Sequence, residues 1–172
     1  TARVVDLGVG GHINKPPATT QLAIGAATEG VINTTSDVDV FEFMGQANRI
    51  YEFQCYSRST NGNCRIAVLP PIGAQIGDFS TLVRTLSSVS GPFIVSISGG
   101  GSYQVTVADL GVDDHGDTAA TATPIMPGSV PFIWNYGSDI DAFSFPVVAG
   151  HVYSASCQFC SVMLQGSAQA GN

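Results

Sequence analysis

Charge is what this 172-residue sequence has least of. Asp, Glu, Lys and Arg together make up 11% of it, against about 25% in an ordinary soluble domain. Six residues are basic, only Lys15 among them a lysine, and thirteen acids bring the formal charge to −7. With so few cations there is nothing to neutralise a run of phosphates, which argues against nucleic acid and against an anionic membrane surface. No apolar run approaches the roughly 20 residues of a bilayer-spanning helix, and no charged-then-apolar leader is present, so membrane insertion is not expected. The sequence opens at Thr1 rather than Met, which reads as a processed or excised start. No stretch sustains a 3.6-residue period, so long amphipathic helices are not expected either. Gly-x-Ser-x-Gly, His-Glu-x-x-His and phosphate-loop signatures are missing, and the expectation is a protein that is not an enzyme.

What is present is β patterning over an adequate core. Hydrophobic residues make up 44%. Val38 to Phe43, Ile50 to Tyr56, Arg65 to Leu69, Phe93 to Ile97 and Ser102 to Val107 read as strands. Asn61-Gly62, Pro70-Pro71, Gly91-Pro92 and Gly99-Gly100-Gly101 read as turns between them. Thr118 to Thr123 reads as one irregular turn. Short strands at roughly 8- to 12-residue spacing predict an all-β sandwich.

The sequence also repeats itself. Ser36-Asp37-Val38-Asp39-Val40-Phe41-Glu42-Phe43 returns as Ser138-Asp139-Ile140-Asp141-Ala142-Phe143-Ser144-Phe145, at an offset of 102. The same offset carries Ile50-Tyr51 onto Val152-Tyr153 and Cys55 onto Cys157. Asp6-Leu7-Gly8-Val9 returns as Asp109-Leu110-Gly111-Val112, and His12 as His115, at an offset of 103. A unit of about 100 residues exceeds any solenoid repeat and is long enough for its own core. The division expected is a first sandwich over 10–109 and a second, shortened one over 110–172. Residues 1–9, which loosely echo residues 104–112, form an N-terminal strand: a donor, or the end of a preceding repeat.

These motifs resemble the bacterial pre-peptidase C-terminal (PPC) domain. The residues that carry the likeness are Asp113-Asp114-His115-Gly116-Asp117-Thr118-Ala119-Ala120-Thr121-Ala122-Thr123, then residues 138–145, then Ala149-Gly150-His151-Val152-Tyr153. In the first copy they are residues 36–43, Ile50-Tyr51, and the closing residues 91–98 and 101–107. The resemblance implies a jelly-roll-like β-sandwich; with the repeat, the expectation is two in tandem, the second short or completed by a strand from another chain. It also implies a non-catalytic, exported module attached to or excised from a larger secreted protein. Some members hold calcium with acids before the first strand and at the mouth of the Asp-x-Asp-x-Phe strand. Carried over residue by residue, that points to Asp113, Asp114, Asp117, Asp139 and Asp141. The first copy departs from the pattern, with Gly10, Gly11 and Asn14 in place of Asp113, Asp114 and Asp117.

Strand parity supports the same acids. Side chains alternate between faces, so Asp139, Asp141, Phe143 and Phe145 share one face, as do Asp37, Asp39, Phe41 and Phe43. The phenylalanines must face the core, which draws the carboxylates inward. A carboxylate there needs a metal, a base or backbone N–H donors. Calcium takes six to eight hard oxygen ligands; the other reading is that the acids cap turn N–H groups. The four cysteines of an exported chain read as two local disulfides, Cys55 with Cys64 across the Asn61-Gly62 turn and Cys157 with Cys160. A redox dithiol at Cys157 and Cys160 lacks a βαβ setting, and four-cysteine zinc needs the copies to converge. Phe132, Trp134 and Tyr136 alternate and form either core or a contact surface. His12 and His115 occupy equivalent linker positions and read as structural. Asn33-Thr34-Thr35 is a glycosylation sequon.

The functional expectation is therefore a non-catalytic extracellular or cell-surface module of structural or assembly type. In one form it is a subunit of a head-to-tail filament joined by β-strand complementation, its partners other copies of the same chain. In another it is a substrate- or surface-binding accessory of a secreted hydrolase such as a peptidase, its partners the neighbouring domains.

Overall fold

The structure, a computed structural model, describes residues 20–166, with the backbone alone at 78 and 79. The expected N-terminal strand over 1–9 lies outside the described residues, as do Gly10, Gly11, His12 and Asn14. Among the described residues there is no helix, and so none long and apolar enough to cross a membrane.

Eight strands build the N-terminal part: β1 (Thr20–Gln21), β2 (Ala27–Ile32), β3 (Asp39–Gly45), β4 (Arg49–Ser57), β5 (Asn63–Leu69), β6 (Ile76–Ser80), β7 (Leu82–Ser87) and β8 (Gly91–Gly111). They form an all-β sandwich of two sheets that share β8. The first half of β8 pairs antiparallel with β3 and β5, whose outer neighbours are β1 and β6. The second half pairs antiparallel with β2 and β4, and β7 flanks β4.

This arrangement corrects one expectation. Gly99-Gly100-Gly101 is not a turn between two strands but the bend inside one strand of 21 residues. Gly99 and Gly101 have φ of 129° and 84°, a region that L side chains rarely enter. A Cβ at Gly99 would also meet the Asn63 carbonyl oxygen across the sheet. The glycines let the chain leave one sheet and enter the other without breaking its ladder.

The core lies between the sheets. Phe41 and Phe43 from β3, Tyr51 and Phe53 from β4, and Phe93, Val95 and Ile97 from β8 are buried. Phe43 meets Tyr51 edge-on at 4.8 Å and Phe53 at 5.7 Å between ring centres, the geometry aromatic quadrupoles favour. Asp37 and Asp39 are buried on the same side as Phe41 and Phe43, as alternation requires. Asp39 accepts a 2.5 Å hydrogen bond from the Tyr103 hydroxyl of β8, and Asp37 accepts the Asn33 N–H at 2.9 Å. Burial, and then the bond to Asp39, push the Tyr103 phenol above its ordinary pKa. At the far end of β8, Arg49 holds Asp109 through three bonds of 2.8 to 3.1 Å.

Beyond β8, residues 112–166 form little regular structure. β9 (Thr123–Pro124) and β10 (Phe143–Ser144) make one short parallel pair. Its register, Thr123 opposite Phe143, copies that of β1 on β3, Thr20 opposite Phe41. Other bonds recur at the repeat offset. The Leu22 N–H donates to the Glu42 carbonyl and the Ile125 N–H to the Ser144 carbonyl, both at 2.8 Å. The Tyr51 hydroxyl accepts the Gln46 N–H and the Tyr153 hydroxyl accepts the Val148 N–H, both at 2.9 Å. Burial does not recur. Val152 is 98% exposed, whereas its counterpart Ile50 is 1% exposed. Among the described residues no closed second sandwich forms.

Replacing Tyr103 by Phe removes the hydroxyl that donates to Oδ2 of the buried Asp39. The expected cost is about 1–3 kcal/mol of stability, read as a lower denaturant midpoint with an unchanged slope.

Candidate metal centre

Two short segments bring the acids of the C-terminal region together. One is the loop after β8, with Asp113, Asp114 and Asp117. The other is the approach to β10, with Asp139 and Asp141. The Ala142 N–H donates to the Gly116 carbonyl at 2.9 Å and locks the segments side by side. Each segment is shaped locally. Thr118 and Thr121 close a turn through a 3.0 Å backbone bond, and the Asp139 N–H reaches back to the Tyr136 carbonyl at 3.2 Å.

All five acids predicted from the sequence meet here, in two overlapping sets. Oxygens of Asp113, Asp114 and Asp141 lie within 4.8 Å of one another, as do oxygens of Asp113, Asp117 and Asp139. Asp113 belongs to both. Around them are donors that sequence reasoning did not assign. The Asn135 side chain donates to Asp114 at 2.7 Å and to Asp113 at 3.3 Å, while its backbone N–H donates to Asp139 at 2.5 Å. The Ile133 N–H donates to Asp114 at 3.0 Å, and the Tyr136 hydroxyl to Asp117 at 2.5 Å. One signal for Asn135 was available. Its counterpart at the repeat offset is Asn33, whose N–H caps Asp37 in the same way.

The donors do not satisfy the cluster. Asp117 Oδ1, Asp139 Oδ1 and both oxygens of Asp141 are buried without a hydrogen-bond partner. Burial first, and then repulsion from Asp139 and Asp114, push the Asp141 carboxyl up to about 6. Asp113 and Asp139 are also raised, again by burial before their acidic neighbours. Burial and the bond to Asp117 raise the Tyr136 phenol. Salt bridges to the five acids from Lys or Arg are absent among the described residues. The imidazole of His115 lies 3.7 Å from Asp114. Its Nε2 faces the Pro131 carbonyl at 3.2 Å and its Nδ1 the Thr123 hydroxyl at 3.0 Å, and its ring packs edge-on against Phe143 at 4.6 Å. The donor set, all hard oxygen and negatively charged, suits calcium and not the softer N/S-seeking metals.

The remaining predicted sites are dispersed. Cys55 with Cys64 and Cys157 with Cys160 lie at disulfide distance, 5.9 and 5.4 Å between Cα atoms. Such pairs fit an oxidising compartment outside the cytosol. Phe132 and Trp134 are 37% and 54% exposed, so the core reading of this stripe fails. They leave the core because residues 131–135 pair with no strand. Their ring centres are 6.3 Å apart, whereas Tyr136 turns to Asp117. Asn33 is half-buried before exposed Thr34 and Thr35.

No family model matches this sequence, and no curated protein does. Several solved structures resemble part of it, three of which follow. One is the pre-peptidase C-terminal domain of a collagenase from Bacillus anthracis, at 11% identity and a TM-score of 0.42, covering 55% of this chain and 99% of that one. Two are periplasmic inhibitors of g-type lysozyme, both at 13% identity. The Aeromonas hydrophila protein has a TM-score of 0.41 and covers 53% of this chain and 96% of its own. The Salmonella Typhimurium protein has a TM-score of 0.39 and covers 52% and 96%.

The raised acids fix the sign of a pH effect. In metal-free solution the folded state holds protons on Asp141 up to about pH 6, whereas the unfolded chain releases them near the ordinary value of about 4. The stability of the C-terminal region is therefore greatest below about pH 4 and falls as pH rises to about 6. Thermal melts in chelator at a series of pH values should show this decline, and D141N should flatten it.

Proposed function

We propose that this chain is a non-catalytic structural module of an exported assembly, made of two PPC-like copies, the second holding calcium and completed by a strand from a neighbouring copy. The observation that carries the reading is the contrast between equivalent faces. In the N-terminal sandwich, Ile50, Tyr51, Phe53 and Cys55 are buried, and their strand is paired along the second half of β8. At the repeat offset, Val152 and Ala155 are exposed, Tyr153 and Cys157 are half-buried, and residues 151–157 pair with no strand among the described residues. A strand added there restores the missing backbone partners. An edge with such side chains is otherwise an association hazard. Addition between copies is head-to-tail, the kind of contact that propagates a filament wherever its rotation does not close a ring.

Calcium supports the same role. Bound by Asp113, Asp114, Asp117, Asp139 and Asp141, it supplies the positive charge that the unpartnered oxygens lack and pins the loop after β8 to the segment leading into β10. The metal is structural here, since nothing in the cluster resembles a nucleophile beside a base.

A second reading, the binding accessory of a secreted hydrolase, draws on one observation. A groove of about 480 Å³ runs between Ile76, Leu82 and Arg84 of the sandwich and Trp134 and Tyr136. Trp134 is the sole tryptophan, so its fluorescence reports occupancy directly. Soluble peptides and oligosaccharides at millimolar concentration should leave it unchanged; a saturable change favours the accessory reading.

For the structural reading, light scattering and electron microscopy of the 172-residue chain in calcium at neutral pH should show oligomers that grow with concentration into filaments. A monomer at every concentration overturns it. Calcium should raise the melting temperature at pH 7, and the pair D139N and D141N together should abolish that gain while leaving the N-terminal sandwich folded.

A further inference from the structure

We propose that residues 1–8 of a neighbouring copy seat antiparallel on residues 152–158, in the register that β8 takes on β4, and that Asp6 of the incoming copy pairs with His151. This rests on the assembly reading above and specifies its joint.

The register follows from two repeats that meet. Residues 1–8 align with residues 104–111 at an offset of 103, sharing Val4 with Val107 and Asp6-Leu7-Gly8 with Asp109-Leu110-Gly111. Residues 152–158 align with 50–56 at an offset of 102. In the N-terminal sandwich Tyr51 pairs with Asp109, Phe53 with Val107 and Cys55 with Val105. Transferred, Tyr153 takes Asp6, Ala155 takes Val4 and Cys157 takes Ala2. The inward positions of the donor are then Ala2 and Val4, counterparts of buried Val105 and Val107. The outward ones are Thr1, Arg3 and Val5. A slip of one residue would turn Arg3 inward, so the only charge on this stretch besides Asp6 selects the register.

The charge pair comes from the same transfer. Asp109 is held by Arg49 through a bidentate contact with bonds as short as 2.8 Å. The counterpart of Asp109 is Asp6, and that of Arg49 is His151. His151 is exposed, stacks on Tyr153 with 6.3 Å between ring centres, and has no ion-pair partner among the described residues. The incoming acid therefore meets a side chain that stands where the sandwich places its clamp.

The test uses the 172-residue chain and a synthetic peptide of residues 1–9. D6R and H151D should each raise the concentration needed for assembly about threefold to fivefold, and the double variant D6R/H151D should return it close to wild type. H151R, which reproduces the Arg49 clamp, should lower it. A chain lacking residues 1–9 should stay monomeric and bind the labelled peptide one to one. V4R in the peptide should abolish binding, and V5R should be tolerated. If the wild-type chain assembles but the charge variants and the deletion assemble equally well, this joint is wrong while the filament reading stands. If the wild-type chain stays monomeric and the peptide does not bind, both fall.

Discussion

A carboxylate on the core side of a strand is the constraint on which much of this molecule turns. Alternation along β3 places Asp37 and Asp39 on the face of Phe41 and Phe43, and that face is the interior. An ionised group taken out of water is costly unless something replaces the water. The two halves of the chain meet this demand with different chemistry. In the N-terminal sandwich a tyrosine from β8 reaches Asp39, and a turn N–H caps Asp37. In the C-terminal region the turn N–H recurs at Asp139. Three more acids gather there instead, leaving buried oxygens without donors. Charge crowded together in this way is relieved either by protonation, as the raised Asp141 carboxyl shows, or by a cation.

The second organising element is β8. One strand of 21 residues belongs to both sheets, so the fold is joined through its backbone as well as through its side chains. Tyr103 just after the bend donates to Asp39 Oδ2, and Asp109 near the end anchors Arg49. Removing a strand of this kind from a sandwich exposes two sheet edges and the face between them. After residue 145, large apolar side chains such as Val147, Val152 and Met163 are exposed among the described residues.

How much of this was legible in the sequence depends on the range of the interaction. The alternation that buries Asp37, Asp39, Phe41 and Phe43 is local, and a period of two reveals it. The repeat is legible because the same residues return at one offset, and the acids that converge lie in two clusters only about 25 residues apart. Contacts across the sandwich were not legible. Tyr103 and Asp39 are separated by 64 residues, and nothing in either segment names the other. The glycine run was read as a turn because glycine marks turns and bends alike; only pairing to strands on both sides distinguishes them. The aromatic stripe alternates as a strand does, but alternation says nothing about whether a partner strand exists to make one face a core.

In the assembly proposed above, calcium and an incoming strand would act on different parts of the C-terminal region. The acids sit at the mouth of β10, the counterpart of β3, in the sheet where β3 pairs with the first half of β8. Residues 152–158 correspond to β4, which pairs with the second half of β8 in the other sheet. Neither event supplies the other's contacts. One ring contact joins the two places: Phe145 and Tyr153 are 5.7 Å apart between ring centres. A metal that fixed the approach to β10 would order that contact before a strand arrived, so less conformational freedom would remain to be lost on addition. On that argument a bound metal would strengthen the proposed joint without touching it.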